Sequence, residues 1–170
     1  MEKIGLLSDT HGNFKLQQEA AEFLVHHAEI DRFYHCGDDY SDADPLLHYG
    51  LPVVRIPGIF ETCYKQKLVP VMQCDEVEGW RINLVHDLKD MTPELLQRAD
   101  IIVYGHSHDY KAEKGVGRVF INPGHLKDIT HKNRPATFGL IILTKAIVSV
   151  KIFGLDKKIL LGQEFSKETL

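Results

Sequence analysis

The sequence predicts an α/β fold of two stacked mixed β-sheets flanked by helices, and three observations carry that reading. The first half repeats a strand, loop and helix pattern. The second half is mostly short strands separated by turn signals. No composition shift and no Gly/Ser/Pro-rich linker divides the 170 residues, so they are expected to form one domain, 1–170, with a substantial core.

Residues 3–8 (Lys-Ile-Gly-Leu-Leu-Ser) read as a first strand, followed by the loop Asp9-Thr10-His11-Gly12. Asn13 then caps a helix expected to run to about residue 28, with Leu16, Ala20, Phe23, Leu24 and His27 on its sheet-facing stripe. Residues 31–36 form a second strand that ends at Gly37-Asp38-Asp39, a short helix covers 42–49, and 52–56 is a third strand stopped by Pro57-Gly58. After the loop Ile59-Phe60-Glu61, residues 67–77 and 79–86 read as antiparallel strands turning at Glu78-Gly79. Thr92 with Pro93 starts a helix that ends near Arg98, because Thr accepts from a free helical N–H and Pro has none to lose. Residues 99–104 are a buried strand running into Gly105, and 109–114 with 118–122 form a hairpin around Gly115-Val116-Gly117. Strands at 137–143, 147–153 and 158–161 complete the chain.

Charge and composition exclude several function classes. The net charge of −4 comes from interspersed signs and the longest basic run is Lys157-Lys158, so there is no electrostatic footprint for nucleic acid. No run approaches 18 apolar residues and the N-terminus carries no leader pattern, which predicts a soluble cytoplasmic protein with no membrane partner. Three cysteines without a Cys-x-x-Cys pair argue against a disulfide framework or a zinc ribbon. Ten histidines direct attention to metal sites instead.

Gly105-His106-Ser107-His108 leaves the end of the 99–104 strand, where two imidazoles on one loop can ligate a metal. By chance such a Gly-His-x-His arises in roughly one chain in twenty of this composition. Asp9-x-His11, Gly37-Asp38 and Val85-His86 also sit at strand ends, although each alone reads equally as a turn or strand-end residue. In the order Asp9-x-His11, Gly37-Asp38, Val85-His86, Gly105-His106-x-His108, Asn122-Pro123-Gly124, they resemble the calcineurin-like metallophosphoesterase family, and most closely its small bacterial and archaeal phosphodiesterases. The likeness spans residues 8–124. It implies the αββα sandwich and two divalent metal ions, Mn²⁺ first and Fe, Zn²⁺ or Ni²⁺ as other occupants. Asp9, His11 and His108 would hold the first ion, Asp38 would bridge, and His86 with His106 would hold the second. It also implies Asp38 and His86 as catalytic residues, and a hydroxide on ions about 3.5–4 Å apart attacking phosphorus.

One stretch departs from the family pattern. Where the family has Gly-Asn-His/Cys-Asp/Glu, supplying a metal-ligating Asn and a proton donor, this chain has Gly58-Ile59-Phe60-Glu61. Ile59 has no donor atom and Phe60 has no proton to give; a water or Glu61 is left to fill the ligand gap. Asp87 follows His86 where Gly-His is usual, and His125 stands where Ser is common. Asp39 reads as a turn carboxylate, His35 as a packing residue, and His26, His27, His48 and His131 as surface or partly buried side chains. The expected function is hydrolysis of small phosphodiesters or phosphomonoesters, with activity weakened at the altered loop. The alternative is a metal-binding scaffold of the same fold with vestigial catalysis, acting through a protein partner. A homo-oligomer is left open.

Overall fold

The computed structural model describes all of residues 1–170. In chain order the elements are β1 (Glu2–Leu7), α1 (Phe14–His26), β2 (Arg32–His35), a 3₁₀ helix (Tyr40–Tyr49), β3 (Val53–Arg55), α2 (Thr62–Lys65), β4 (Met72–Val77), β5 (Trp80–Val85), a 3₁₀ turn (Leu88–Asp90), α3 (Pro93–Arg98) and β6 (Ile101–Tyr104). The chain continues with β7 (Lys111–Gly115), β8 (Arg118–Asn122), β9 (Thr130–His131), β10 (Arg134–Pro135), β11 (Thr137–Leu143), β12 (Ile147–Gly154), β13 (Ile159–Ser166) and a last 3₁₀ turn, Lys167–Thr169.

One sheet has the order β13-β12-β11-β1-β2-β3 and the other β4-β5-β6-β8-β7, with β9-β10 a separate hairpin. Both large sheets are mixed. In the first, β1, β2 and β3 are parallel and β11 to β13 antiparallel. In the second, β5, β6 and β8 are parallel while β4 and β7 pair antiparallel at the edges.

The layers follow from strand alternation. Ile4 and Leu6 of β1 meet Ile82, Leu84, Ile101 and Val103 in the core between the sheets, whereas Ile102 and Tyr104 point the other way, under Leu95 and Leu96 of α3. A strand covered on both faces reads as an unbroken apolar run, as β6 does. On the far side α1 lays Leu16, Ala20, Ala21 and Leu24 against Leu7, Phe33, Phe138 and Leu140. Asn13 caps α1 through Leu16 N–H and Thr92 caps α3 through Leu95 N–H, as expected from the sequence. No helix is long and apolar enough to cross a membrane.

Several boundaries differ from the sequence expectation. The 40–49 helix is 3₁₀ rather than α, with Pro45 inside it removing a backbone donor. Residues 67–71 lie outside β4, where Pro70 interrupts the ladder, and α2 was not foreseen. β13 runs to Ser166, five residues beyond the expected end, because its exposed positions hide the alternation. His27 is exposed; the buried stripe of α1 includes Gln17 instead, whose amide donates to Asp42 O.

Candidate metal centre

The loops leaving β1, β2, β5, β6 and β8 meet at one edge of the sandwich, tied by backbone hydrogen bonds within each sheet and, from the loop after β8 to the end of β1, between the two sheets. Asp9 N–H donates to Gly37 O (2.9 Å), Gly105 N–H to His86 O (3.1 Å), and Leu126 N–H to the Ser8 and Asp9 carbonyls (both 3.2 Å). Gly105 permits this approach: a Cβ there would stand 2.2 Å from Ser8 Oγ and 2.7 Å from Asp9 Oδ2. Asp9, His11, Asp38, His106 and His108 all have positive φ (50° to 107°), a conformation that non-glycine residues adopt at a cost when surrounding contacts impose it. Five of the six ligands expected from the sequence are held this way.

Asp9 lies at the floor, 1% exposed. Its Oδ2 accepts from Ser8 Oγ (2.5 Å) and from His106 N–H (3.0 Å), while Oδ1 has no hydrogen-bond partner and faces His108 Nε2 at 3.1 Å. Burial pushes its pKa up, but the His108 imidazole beside it, the charge of His86 and the Ser8 hydroxyl outweigh burial and hold the carboxyl below its ordinary range. His86 is equally buried. Its Nδ1–H donates to Cys36 O (2.7 Å), which leaves Nε2 bare, buried and without a partner.

The other imidazoles complete two pairs. His11 and His108 rings stand 5.2 Å apart with their Nε2 atoms 3.3 Å apart, and His86 and His106 rings also stand 5.2 Å apart. His11 Nδ1 lies 2.5 Å from Asp38 Oδ2. Two sets of donor atoms lie within 4.8 Å of one another: Asp9, His11 and His108, and Asp9, Asp38 and His86. The carboxylate common to both is Asp9, whereas the sequence reading gave the bridge to Asp38. His106 falls outside both sets; its Nε2 is 3.8 Å from Asp87 Oδ2 and its ring 6.4 Å from that of Phe60.

The residues fit a divalent cation. His86 Nε2 is buried with no partner, and Asp9 Oδ1 is buried with only another ligand-type nitrogen, His108 Nε2, beside it, which is costly unless a cation or proton donor lies between such groups. Imidazole nitrogens with carboxylate oxygens suit Mn²⁺, Fe and Zn²⁺. Cys36 O on His86 fixes that ring's tautomer as metal-ligating histidines require.

The altered loop is not a packed one. Phe60 is 72% exposed and Ile59 half-buried. Glu61, considered from the sequence as a replacement ligand, uses Oε2 to accept from Tyr40 N–H (3.0 Å) and Gly58 N–H (2.8 Å), so it braces the loop. Asp39 is exposed, and His35 is packed under the site with Nε2 3.0 Å from Thr10 Oγ1.

Three neighbours of the site were given no role there by the sequence reading. His125 is fully buried, its Nε2–H donates to Arg134 O (3.2 Å), and its ring is 5.1 Å from His108. The β9-β10 hairpin brings His131 to 5.2 Å from the same ring, and Asp87 faces His106. Asp87 and His125 adjoin recognised motifs, which was a usable signal; nothing local marks His131.

The family model for the calcineurin-like phosphoesterase superfamily domain matches residues 2–146. The chain is 26% identical over 154 residues to the probable metallophosphoesterase YsnB of Bacillus subtilis (strain 168), covering 87% of this chain and 88% of that one. In fold it is similar to YfcE, a phosphoesterase from E. coli (TM-score 0.71, 23% identity, 95% of this chain and 98% of that one). It is likewise similar to Vacuolar Protein Sorting 29 from Cryptosporidium parvum (TM-score 0.74, 22% identity, 98% of each chain). A family model covering most of the chain, over the same strand-end residues that build the cleft, places this protein in the calcineurin-like phosphoesterase superfamily.

Proposed function

We propose that the protein hydrolyses small phosphate esters with divalent cations, Mn²⁺ foremost, held by Asp9, His11, Asp38, His86, His106 and His108. The observation that carries this reading is that Asp9 Oδ1 and His86 Nε2 are buried acceptors without a hydrogen-bond donor, on two residues that cluster with Asp38 through ligand atoms within 4.8 Å of one another. Bound ions would offset the charge of the phosphoryl oxygens and activate water. The chain supplies the frame for that chemistry. His106 N–H and Ser8 Oγ orient the Asp9 carboxylate, Cys36 O keeps the His86 proton on Nδ1, and the Gly58–Glu61 turn backs Asp38 through the Gly58 N–H bond to Asp38 O (3.0 Å). His11 and Asp38 stand at the mouth with Asp39, Phe60 and Glu61, where a phosphate ester can enter.

A metal-binding scaffold that acts through a protein partner is the second reading. One observation favours it: Ile59 and Phe60 offer neither a ligand nor a proton, and Phe60 projects from the surface. Metal content of the protein as purified, measured with turnover of an activated aryl phosphodiester in added Mn²⁺, separates the two. Two ions with turnover are expected; one ion without turnover supports the scaffold.

A further inference from the structure

We propose that Phe60 is the face against which the ester group of the substrate lies, so that the site takes phosphate esters of planar aromatic alcohols; this rests on the phosphoesterase reading above. Phe60 sits at the tip of a braced turn. Gly58 N–H is bonded to Asp38 O and to Glu61 Oε2, Glu61 N–H returns to Gly58 O (3.2 Å), and Tyr40 N–H also reaches Glu61 Oε2. A Cβ at Gly58 would lie 2.1 Å from Asp38 O, so the turn rests directly on the backbone of an expected ligand. None of these bonds uses the side chain at 60. The fold therefore does not need the ring, yet an aromatic residue is held there 72% exposed.

The ring is also in a functional place. With His11, Asp38, Asp39 and Glu61 it walls a concavity of about 310 Å³, the size of a small-ligand site, and it is the one apolar surface there. Asp38, Asp39 and Glu61 disfavour a second anionic group on this side, so the ester group that fits is neutral. With the phosphoryl group over His11 and Asp38, that group falls on Phe60, where an aromatic ring gains stacking or edge contacts that an alkyl chain does not.

Leaving-group chemistry agrees. In the hydrolysis, water oxygen bonds to phosphorus as the phosphorus–oxygen bond to the alcohol breaks. The departing oxygen keeps the electron pair, and water's proton passes to solvent. An alkoxide leaves slowly unless a neighbour protonates it, and neither Ile59 nor Phe60 can. A phenolate, whose conjugate acid has a pKa of about 10, leaves unassisted and takes its proton from solvent.

The test is calorimetric titration of the metal-loaded protein with phenylphosphonate and methylphosphonate, which bind without being cleaved. Native protein is expected to bind the phenyl compound about tenfold more tightly, Phe60→Tyr to keep that preference, and Phe60→Ala and Phe60→Leu to reduce it to about twofold, with unchanged methylphosphonate affinity and metal content. Equal affinities in the native protein, no binding of either compound, or a preference that survives in Phe60→Ala or Phe60→Leu would overturn the assignment. Turnover of phenyl phosphate and ethyl phosphate is measured in parallel. Absence of both turnovers beside an intact phenyl preference refutes hydrolysis as the function while supporting Phe60 as the recognition surface.

Discussion

Acidification should destabilise the metal-free protein through His35, and His35→Gln should remove that share of the loss. His35 ends β2 fully buried beneath the cleft, with Nε2 on Thr10 Oγ1 and Nδ1 unpartnered. Burial pushes its pKa down to about 4; the charges of His86 and Arg55 add to this, and Asp9 and Asp38 oppose it. The unfolded chain binds this proton below about pH 6.5 while the native state refuses it down to about pH 4. Stability is therefore present in full above the unfolded value and is lost as the pH falls toward the folded one. At about 1.36 kcal/mol per pH unit, the loss from this residue reaches about 2.5 kcal/mol by about pH 4.5. For a chain of this length that corresponds to a fall in Tm of about 5–10 °C. The assay is urea unfolding in EDTA at about pH 7 and about pH 4.5, for native protein and His35→Gln. Whatever the substitution itself costs appears at both pH values and cancels in the difference between them. If the two proteins lose the same stability between the two pH values, His35 is not excluded from protonation and the argument fails.

Gly105→Ala should cost about 2–3 kcal/mol and strip metal, because its methyl meets Ser8 Oγ and the Asp9 carboxylate at 2.2 and 2.7 Å. Gly12→Ala, at φ +75° with nothing within 4 Å of the added carbon, should cost only about 1–2 kcal/mol of left-handed strain and keep its metal; melting curves with metal analysis compare them. Asp38→Ala should lower metal content and thermal stability more than Asp39→Ala, since only Asp38 lies among the clustered donors. Unchanged metal stoichiometry in Asp38→Ala, read by elemental analysis, would remove Asp38 from the ligand set.

Much of the architecture was legible in the chain. The 99–104 run is apolar without alternation because β6 is covered on both faces, and Asn13 and Thr92 announce helices through side chains that satisfy free N–H groups. The motifs at 9–11, 37–38, 86 and 105–108 were visible for a related reason. Loops that must leave a strand sharply carry Gly, and at Gly12, Gly37 and Gly105 the neighbouring residues are the ones delivered to the edge, whereas His86 is marked only by its place at the end of an apolar strand.

What the tertiary structure alone decided is how those residues meet. Sequence order assigns donors to loops but not atoms to one another, so only the crossing of the two sheets makes Asp9 the carboxylate common to both donor sets and leaves His106 facing Asp87. His131 comes within 5.2 Å of His108 because the β9-β10 hairpin folds back over the edge, a contact without a local sequence signal. The same holds at the altered loop. That Ile59 and Phe60 cannot ligate or donate is a property of their side chains, whereas the commitment of Glu61 to two backbone donors and the exposure of Phe60 depend on how the turn packs against Asp38. Periodicity and turn chemistry are short-range and can be read along the chain; convergence of distant loops is set by sheet pairing, which no local stretch encodes.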